Sequence, residues 1–160
     1  LSSLGFGLFG MVWAVWSVLH ITLIKILPEG TALLFYLLLV ISFSDIFAYF
    51  GGKRFGKSLL APNISPKKTW EGSFFGIVGG GIVGAVFGEL TMSMFWLYGL
   101  VLAMLLAVVG QLGDLVESKI KRLCDVKDSG TLLPGHGGIL DRIDGHMLAA
   151  PVFYYLLQLG

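Results

Sequence analysis

The stretch that decides the fold is MFWLYGLVLAMLLAVVGQLG, Met94 to Gly113. It contains no charged residue, and its length matches the roughly 20 residues that an α-helix needs to cross the hydrocarbon core of a bilayer. The whole chain shares this character, because 56% of its 160 residues are hydrophobic and 13% are charged. Soluble domains typically have about 25% charged residues. The sequence therefore predicts an integral membrane protein.

Four further apolar segments accompany this one: Leu4 to Leu27, Thr31 to Phe50, Ser73 to Leu90 and His146 to Gly160. Apolar segments in lipid are expected to be helices, because a helix satisfies its backbone hydrogen bonds internally. The predicted fold is all-α, a polytopic bundle of about five transmembrane helices that forms one membrane-embedded catalytic domain over residues 1–160. The chain begins with Leu rather than Met, so we expect it to be the C-terminal part of a longer protein.

Two connections between the apolar segments are long and charged. They comprise residues 51–72 and 114–145, and each contains five Lys or Arg residues. Alternating helices place both loops on the same membrane face, which the positive-inside rule makes cytosolic. The net charge is only +1, so no nucleic-acid partner is expected.

The third apolar segment carries glycine at every fourth position from 72 to 88. This stripe without side chains allows another helix to approach closely, either inside the chain or across a homodimer. Gly79, Gly81 and Gly84 also have the GxGxxG spacing of a dinucleotide site. No strand precedes them, so helix packing is the better interpretation.

The polar residues after the fourth apolar segment recur with the spacing of one helix face: Asp114, Glu117, Ser118, Lys121, Arg122 and Asp125. Side chains three and four residues apart are neighbours on a helix. An apolar opposite face is supplied by Leu115, Val116, Ile120 and Leu123. The fourth segment is therefore predicted to continue out of the membrane as an amphipathic helix, although an ordinary solvated face would show the same spacing.

Further acidic residues follow the glycine-rich loop LLPGHGG, residues 132–138. The glycines around His136 would let backbone N–H groups approach a phosphate. Asp141 and Asp144 come next, at i and i+3, on the same membrane face as Asp114. Because Mg²⁺ prefers one or two carboxylates together with water and substrate phosphate, we expect these three acids to bind one or two Mg²⁺ ions. A salt-bridged cytosolic cap is the alternative.

The other charged loop contains SPKKTWEG, residues 65–72. Ser65 could cap a helix with Pro66 at its first position. Lys67 and Lys68 would then present positive charge at a helix start, where anions bind. The alternative is a basic anchor for anionic lipid.

Asp45 lies about a turn and a half inside the cytosolic end of its segment, on the same side as Asp114. It could join the metal site. It could equally pair with Lys53 or Arg54 of the following loop.

The run SKIKRLCDVKDSGTLLPGHGGILDRIDG, Ser118 to Gly145, closely resembles the signature of the phosphatidate cytidylyltransferases, also called CDP-diacylglycerol synthases. The positions that match are Ser118, Lys121, Arg122, Lys127, Asp128, Pro134, His136, Gly137, Gly138, Asp141, Arg142 and Asp144. SPKKTWEG and the polytopic layout are similar to the family as well. The resemblance covers nearly the whole chain from Asp45 onward.

This resemblance implies that phosphatidate and CTP react to give CDP-diacylglycerol and pyrophosphate, with Mg²⁺ required. The expected location is a bacterial inner membrane, with the site facing the cytosol. The expected metal ligands are Asp114, Asp141 and Asp144, and the catalytic set also contains Lys121, Arg122 and Asp128. The expected substrate-binding residues are Lys67, Lys68, Ser118, Lys127, His136, Gly137, Gly138 and Arg142.

Two other functions are compatible with parts of this pattern. A CTP-dependent lipid kinase would release CDP instead of pyrophosphate. A cation transporter could use Asp45, Glu89 and Asp114 as intramembrane sites, although these acids lie toward opposite membrane faces instead of the midplane.

Overall fold

A computed structural model describes the backbone of residues 3–123 and 140–159, and their side chains except those of residues 3, 4, 6 and 140–143. These residues form five helices: α1 (Ser3–Ile26), α2 (Gly30–Phe55), α3 (Trp70–Met92), α4 (Trp96–Leu123) and α5 (Leu140–Leu159). Within the described ranges, α2, α3, α4 and the Gly7–Ile26 part of α1 are long and apolar enough to cross a membrane. The predicted polytopic helical bundle is thus confirmed, and residues 146–159 of the fifth predicted segment lie in α5.

The glycine stripe places α3 between α2 and α4. The glycines at 72, 76, 80, 84 and 88 are all buried. A Cβ atom on Gly72 would lie 2.7 Å from the Ala48 carbonyl oxygen of α2, and one on Gly80 would lie 3.4 Å from the Ala107 Cβ of α4. The stripe therefore packs against helices of the same chain. Of the two predicted packing partners, a helix of this chain or a second copy in a homodimer, the structure shows the first.

The core lies where α2, α4 and α5 meet. Tyr36 is fully buried, stacks on Phe153 at 5.7 Å between ring centroids, and donates a hydrogen bond of 2.6 Å to the Gly99 carbonyl. The Ser17 hydroxyl of α1 contacts the Met147 carbonyl of α5 at 2.7 Å. These buried polar groups have partners, as a bundle core requires.

A short antiparallel hairpin, β1 (Leu59–Ala61) and β2 (Ser65–Thr69), connects α2 to α3. The prediction that Ser65 begins a helix is wrong, since that helix begins at Trp70. Thr69 is the N-cap, and its hydroxyl accepts a hydrogen bond from the Gly72 N–H at 3.1 Å. The reason is that residues 65–69 pair with β1 as a strand, so their backbone is not available for helical hydrogen bonds. The Trp70 N–H also donates to the Ser58 carbonyl, at 3.0 Å.

The predicted continuation of the fourth segment is confirmed, since α4 runs without a break to Leu123. Its polar part lies beside the start of α5, because a Cβ atom on Gly113 would be 3.1 Å from the Asp144 carbonyl oxygen. The hairpin contacts α4 at the same level through Lys68 and Asp114. The residues that flank both charged loops therefore meet at one end of the bundle.

Candidate active site

A cavity of about 410 Å³ opens at the hairpin end of the bundle, between α2, β2, α3 and α4. Its charged lining residues are Asp45, Lys53, Lys67, Lys68 and Asp114. Ser65, Ser73 and Gln111 add uncharged polar groups, and Ala48, Tyr49 and Leu60 form part of an apolar wall. Pockets of a few hundred Å³ with a few convergent polar groups are typical ligand sites.

An ion pair between Lys68 and Asp114 joins the two charged segments. Lys68 lies on β2 and Asp114 on α4, and their side chains are 27% and 24% exposed. The Ser118 hydroxyl, one turn further along α4, donates to Asp114 Oδ1 at 3.2 Å. The Lys68 ammonium group therefore provides one positive charge beside the Asp114 carboxylate.

Two further acids lie near Asp114. Asp45 of α2 lines the same cavity, and both Asp45 and Asp144 are close enough for their carboxylates to repel that of Asp114. Lys53 and Arg54 lie over the rings of Tyr49 and Phe55. In the described part of the chain neither base forms an ion pair with Asp45, so the alternative in which they neutralise this acid is wrong.

The last turns of α4 carry a second ion pair, whose side chains are largely buried. Lys121 Nζ lies 3.3 Å from Glu117 Oε1, one turn away on the predicted polar face. Arg122 follows and is exposed. The Asp144 carboxylate of α5 accepts a hydrogen bond of 2.7 Å from the Gly145 N–H. The predicted helix face is confirmed from Asp114 to Arg122. Asp125 lies outside the described residues, and a phosphate-binding role for the bases stays a prediction.

Several predicted site residues lie outside the described residues: Lys127, Asp128, His136, Gly137 and Gly138. Asp141 and Arg142 belong to α5, but their side chains also lie outside the description. Among the side chains that are described, no three His, Cys, Asp or Glu residues are close enough to hold a metal ion. The predicted trio includes Asp141, so this metal site stays a prediction.

The sequence interpretation missed three polar residues at the base of the cavity. Gln111 of α4 hydrogen bonds to both Ser73 of α3 and Ser44 of α2. A signal was present for Gln111, because it is the amide in the otherwise apolar fourth segment and lies three residues before Asp114 on the same helix face. Ser44 and Ser73 carry no comparable signal, since serine is common on membrane helices.

The fold and the cavity define a class of protein, a polytopic helical membrane protein with an acid- and base-lined site at one end of its bundle. The chain belongs to the cytidylyltransferase family, whose family model matches residues 1–160. The resemblance noted in the sequence is thereby confirmed.

Similar proteins carry a more specific name. The chain is 48% identical to the phosphatidate cytidylyltransferase of Bacillus subtilis (strain 168) over 131 residues, which cover 81% of this chain and 49% of that protein. It is 42% identical to the phosphatidate cytidylyltransferase of Brucella abortus biovar 1 (strain 9-941) over 159 residues, which cover 96% and 57%. For the Synechocystis sp. phosphatidate cytidylyltransferase the identity is 47% over 117 residues, covering 72% and 40%. The chain therefore spans about half the length of the curated relatives it matches.

Proposed function

We propose that this chain carries the active site of a phosphatidate cytidylyltransferase, which transfers the cytidylyl group of CTP to phosphatidate and releases pyrophosphate. The observation that carries the proposal is the cavity in which Lys67 and Lys68 of β2 face Asp45 and Asp114. Family membership and the printed names of the relatives support it.

The position of the cavity suits both substrates. It lies where α2 and α3 leave their apolar segments, and these helices carry the exposed rings of Tyr49, Phe50 and Trp70 at this level. Tyr and Trp side chains favour the membrane–water interface. A lipid phosphate stays at that depth, and a soluble triphosphate reaches it from the aqueous side.

In the proposed reaction a phosphate oxygen of phosphatidate attacks the α-phosphorus of CTP in line, and pyrophosphate leaves. Such transfers depend on positioning and on neutralising charge. Lys67 and Lys68 bind phosphate oxygens in the cavity, while Ser118 orients Asp114. Lys121, Arg122, Lys127 and the His136 loop bind the triphosphate. No general base is needed, because a phosphate monoester is already largely ionised near neutral pH.

The carboxylate oxygens at this site are ligands of the kind that Mg²⁺ prefers. Asp114 and Asp144 supply hard carboxylate oxygens near one another, and Asp114 already holds a cationic group, the Lys68 ammonium. Asp114, Asp141 and Asp144 would hold one or two ions, with phosphate and water as the other ligands. Bound there, the metal would supply charge neutralisation for the phosphates.

The proposed location is a bacterial inner membrane with the cavity facing the cytosol. The five basic residues in each of the two charged loops support this orientation. A homodimer stays a prediction of the sequence, and the buried glycine stripe gives it no support.

Pyrophosphate release by the purified chain, measured with and without CTP, phosphatidate and Mg²⁺, tests the proposal. We expect release only when all three are present, together with formation of CDP-diacylglycerol. Release of CDP with a phosphorylated lipid would identify a lipid kinase instead. Metal flux into liposomes without CTP would favour a transporter, and either result would overturn the proposal.

A further inference from the structure

An interhelical hydrogen-bond network at the base of the cavity has no part in the proposed chemistry. The Gln111 side-chain N–H₂ of α4 donates to the Ser73 carbonyl of α3 at 3.2 Å and to the Ser44 hydroxyl of α2 at 3.3 Å. The Gln111 carbonyl oxygen accepts a hydrogen bond from the Ser73 hydroxyl. One side chain therefore connects three helices.

The partners of Gln111 fix the orientation of its amide. A backbone carbonyl can only accept, so the atom that faces the Ser73 carbonyl must be the N–H₂ group. Its two hydrogens match two acceptors, and its carbonyl matches a hydroxyl donor. Ser44 is only 1% exposed, so loss of the amide would remove a partner from a buried hydroxyl.

The network lies directly beside the charged residues of the cavity. Ser44 precedes Asp45 on α2, and Gln111 lies three residues before Asp114 on the same face of α4. Ser73 and Gln111 themselves line the cavity. The amide that connects α2 to α4 thus lies on the parts of these helices that contribute the two acids to the cavity.

A glycine of the α3 stripe makes room for this amide. A Cβ atom on Gly76 would lie 2.8 Å from Gln111 Nε2 and 2.7 Å from the Ser44 carbonyl oxygen. Cβ atoms essentially never lie this close to another heavy atom, so a side chain at position 76 would displace the amide or the helix. At this position the stripe therefore accommodates a polar connection as well as close helix packing.

We propose that Gln111 is a positioning residue that holds the α2 and α4 walls of the cavity in one register, so that Asp45 and Asp114 keep their places beside the phosphate-binding Lys67 and Lys68. The catalytic consequence rests on the proposed function, whereas the geometric role does not. Gln111 acts through the helices that carry these acids and takes no part in the transfer itself.

The first test compares two matched substitutions of glutamine in the full chain. Gln111→Met retains the length of the side chain and removes its hydrogen bonds. Gln158→Met is the control, since Gln158 is the only other glutamine of the chain and is exposed near the end of α5. We expect kcat to fall about 10- to 100-fold in Gln111→Met, with KM for CTP changed less than about threefold, because small displacements of reacting groups are costly. Gln158→Met should match the parent.

The second test measures geometry without any reaction. Nitroxide labels at the exposed Arg54 of α2 and Lys119 of α4, in a Cys124→Ser background, report the distance between the two walls by double electron–electron resonance. We expect Gln111→Met to broaden or shift the distance distribution and Gln158→Met to leave it unchanged.

Each outcome separates the geometric role from the proposed function. An unchanged distribution in Gln111→Met would overturn the positioning role, whatever its turnover. A broadened distribution with normal kcat would overturn its importance for the reaction. A broadened distribution in a protein whose parent releases no pyrophosphate from CTP would contradict the proposed function and support the positioning role.

Discussion

Lys68 of β2 forms an ion pair with Asp114 of α4, 46 residues further along the chain. The pair joins the hairpin of one charged loop to the helix that begins the other. Both side chains are about one quarter exposed and line the same cavity. The two signs of charge in these loops therefore meet in one site.

Replacement of Lys68 tests the basic side of the cavity. Lys68→Met removes the cation that faces Asp114 and leaves this carboxylate near that of Asp45, so we expect turnover to fall about 100-fold or more because phosphate positioning is lost. Pyrophosphate release from CTP and phosphatidate measures this effect. Lys57→Met is the control, because Lys57 is exposed and does not line the cavity. Equal losses in both variants would contradict a specific role for Lys68.

Replacement of Asp114 tests the acidic side. Asp114→Asn keeps the shape of the side chain but removes its charge, and we expect a loss of turnover of at least about 100-fold, as for other groups that stabilise charge. The variant should elute from a sizing column in detergent as the parent does. Glu89→Gln, at the opposite end of α3, should retain turnover. Near-normal turnover in Asp114→Asn would exclude this carboxylate from the site.

The attachment of the hairpin depends on Glu71. Its carboxylate accepts hydrogen bonds from the backbone N–H groups of Lys57, at 3.1 Å, and Ser58, at 3.2 Å. We expect Glu71→Ala to speed hydrogen exchange at residues 57–69, measured by mass spectrometry, because the Lys57 and Ser58 amides lose their acceptor and the hairpin that they attach opens more often. Glu89→Ala should leave exchange in the hairpin unchanged. Parent-like exchange in Glu71→Ala would mean that strand pairing alone holds the hairpin.

The glycine stripe gives a prediction about stability. Gly84→Ala would place a methyl group against the Ala103 Cβ and 3.0 Å from the Tyr36 hydroxyl. We expect a destabilisation of about 1–3 kcal/mol from overpacking, seen as a lower midpoint of thermal unfolding in detergent by circular dichroism. Gly10→Ala is the control, since a Cβ there meets nothing within 4 Å. A parent-like midpoint for Gly84→Ala would show that α3 can move away from α4 at little cost.

Most of the fold could be predicted from the sequence, because it follows from local patterns. Long apolar runs can cross a bilayer only as helices, glycine at every fourth residue creates one smooth face, and the spacing from Asp114 to Lys121 continues α4 beyond its apolar part. The start of α3 could not be predicted in this way. Ser65 and Thr69 are both competent caps, and only pairing of β2 with β1 determines which of them is used.

The sequence by itself determined that this chain is a helical membrane protein, that α3 packs through glycines, and which family it belongs to, since spans, stripes and spaced signatures are properties of contiguous residues. Tertiary structure alone decided that Lys68 contacts Asp114, that Asp45 lines the same cavity, and that Gln111 connects three helices. The physical reason is that an ion pair or a buried amide is satisfied by whichever groups packing brings within reach, and packing joins segments that are far apart in the chain.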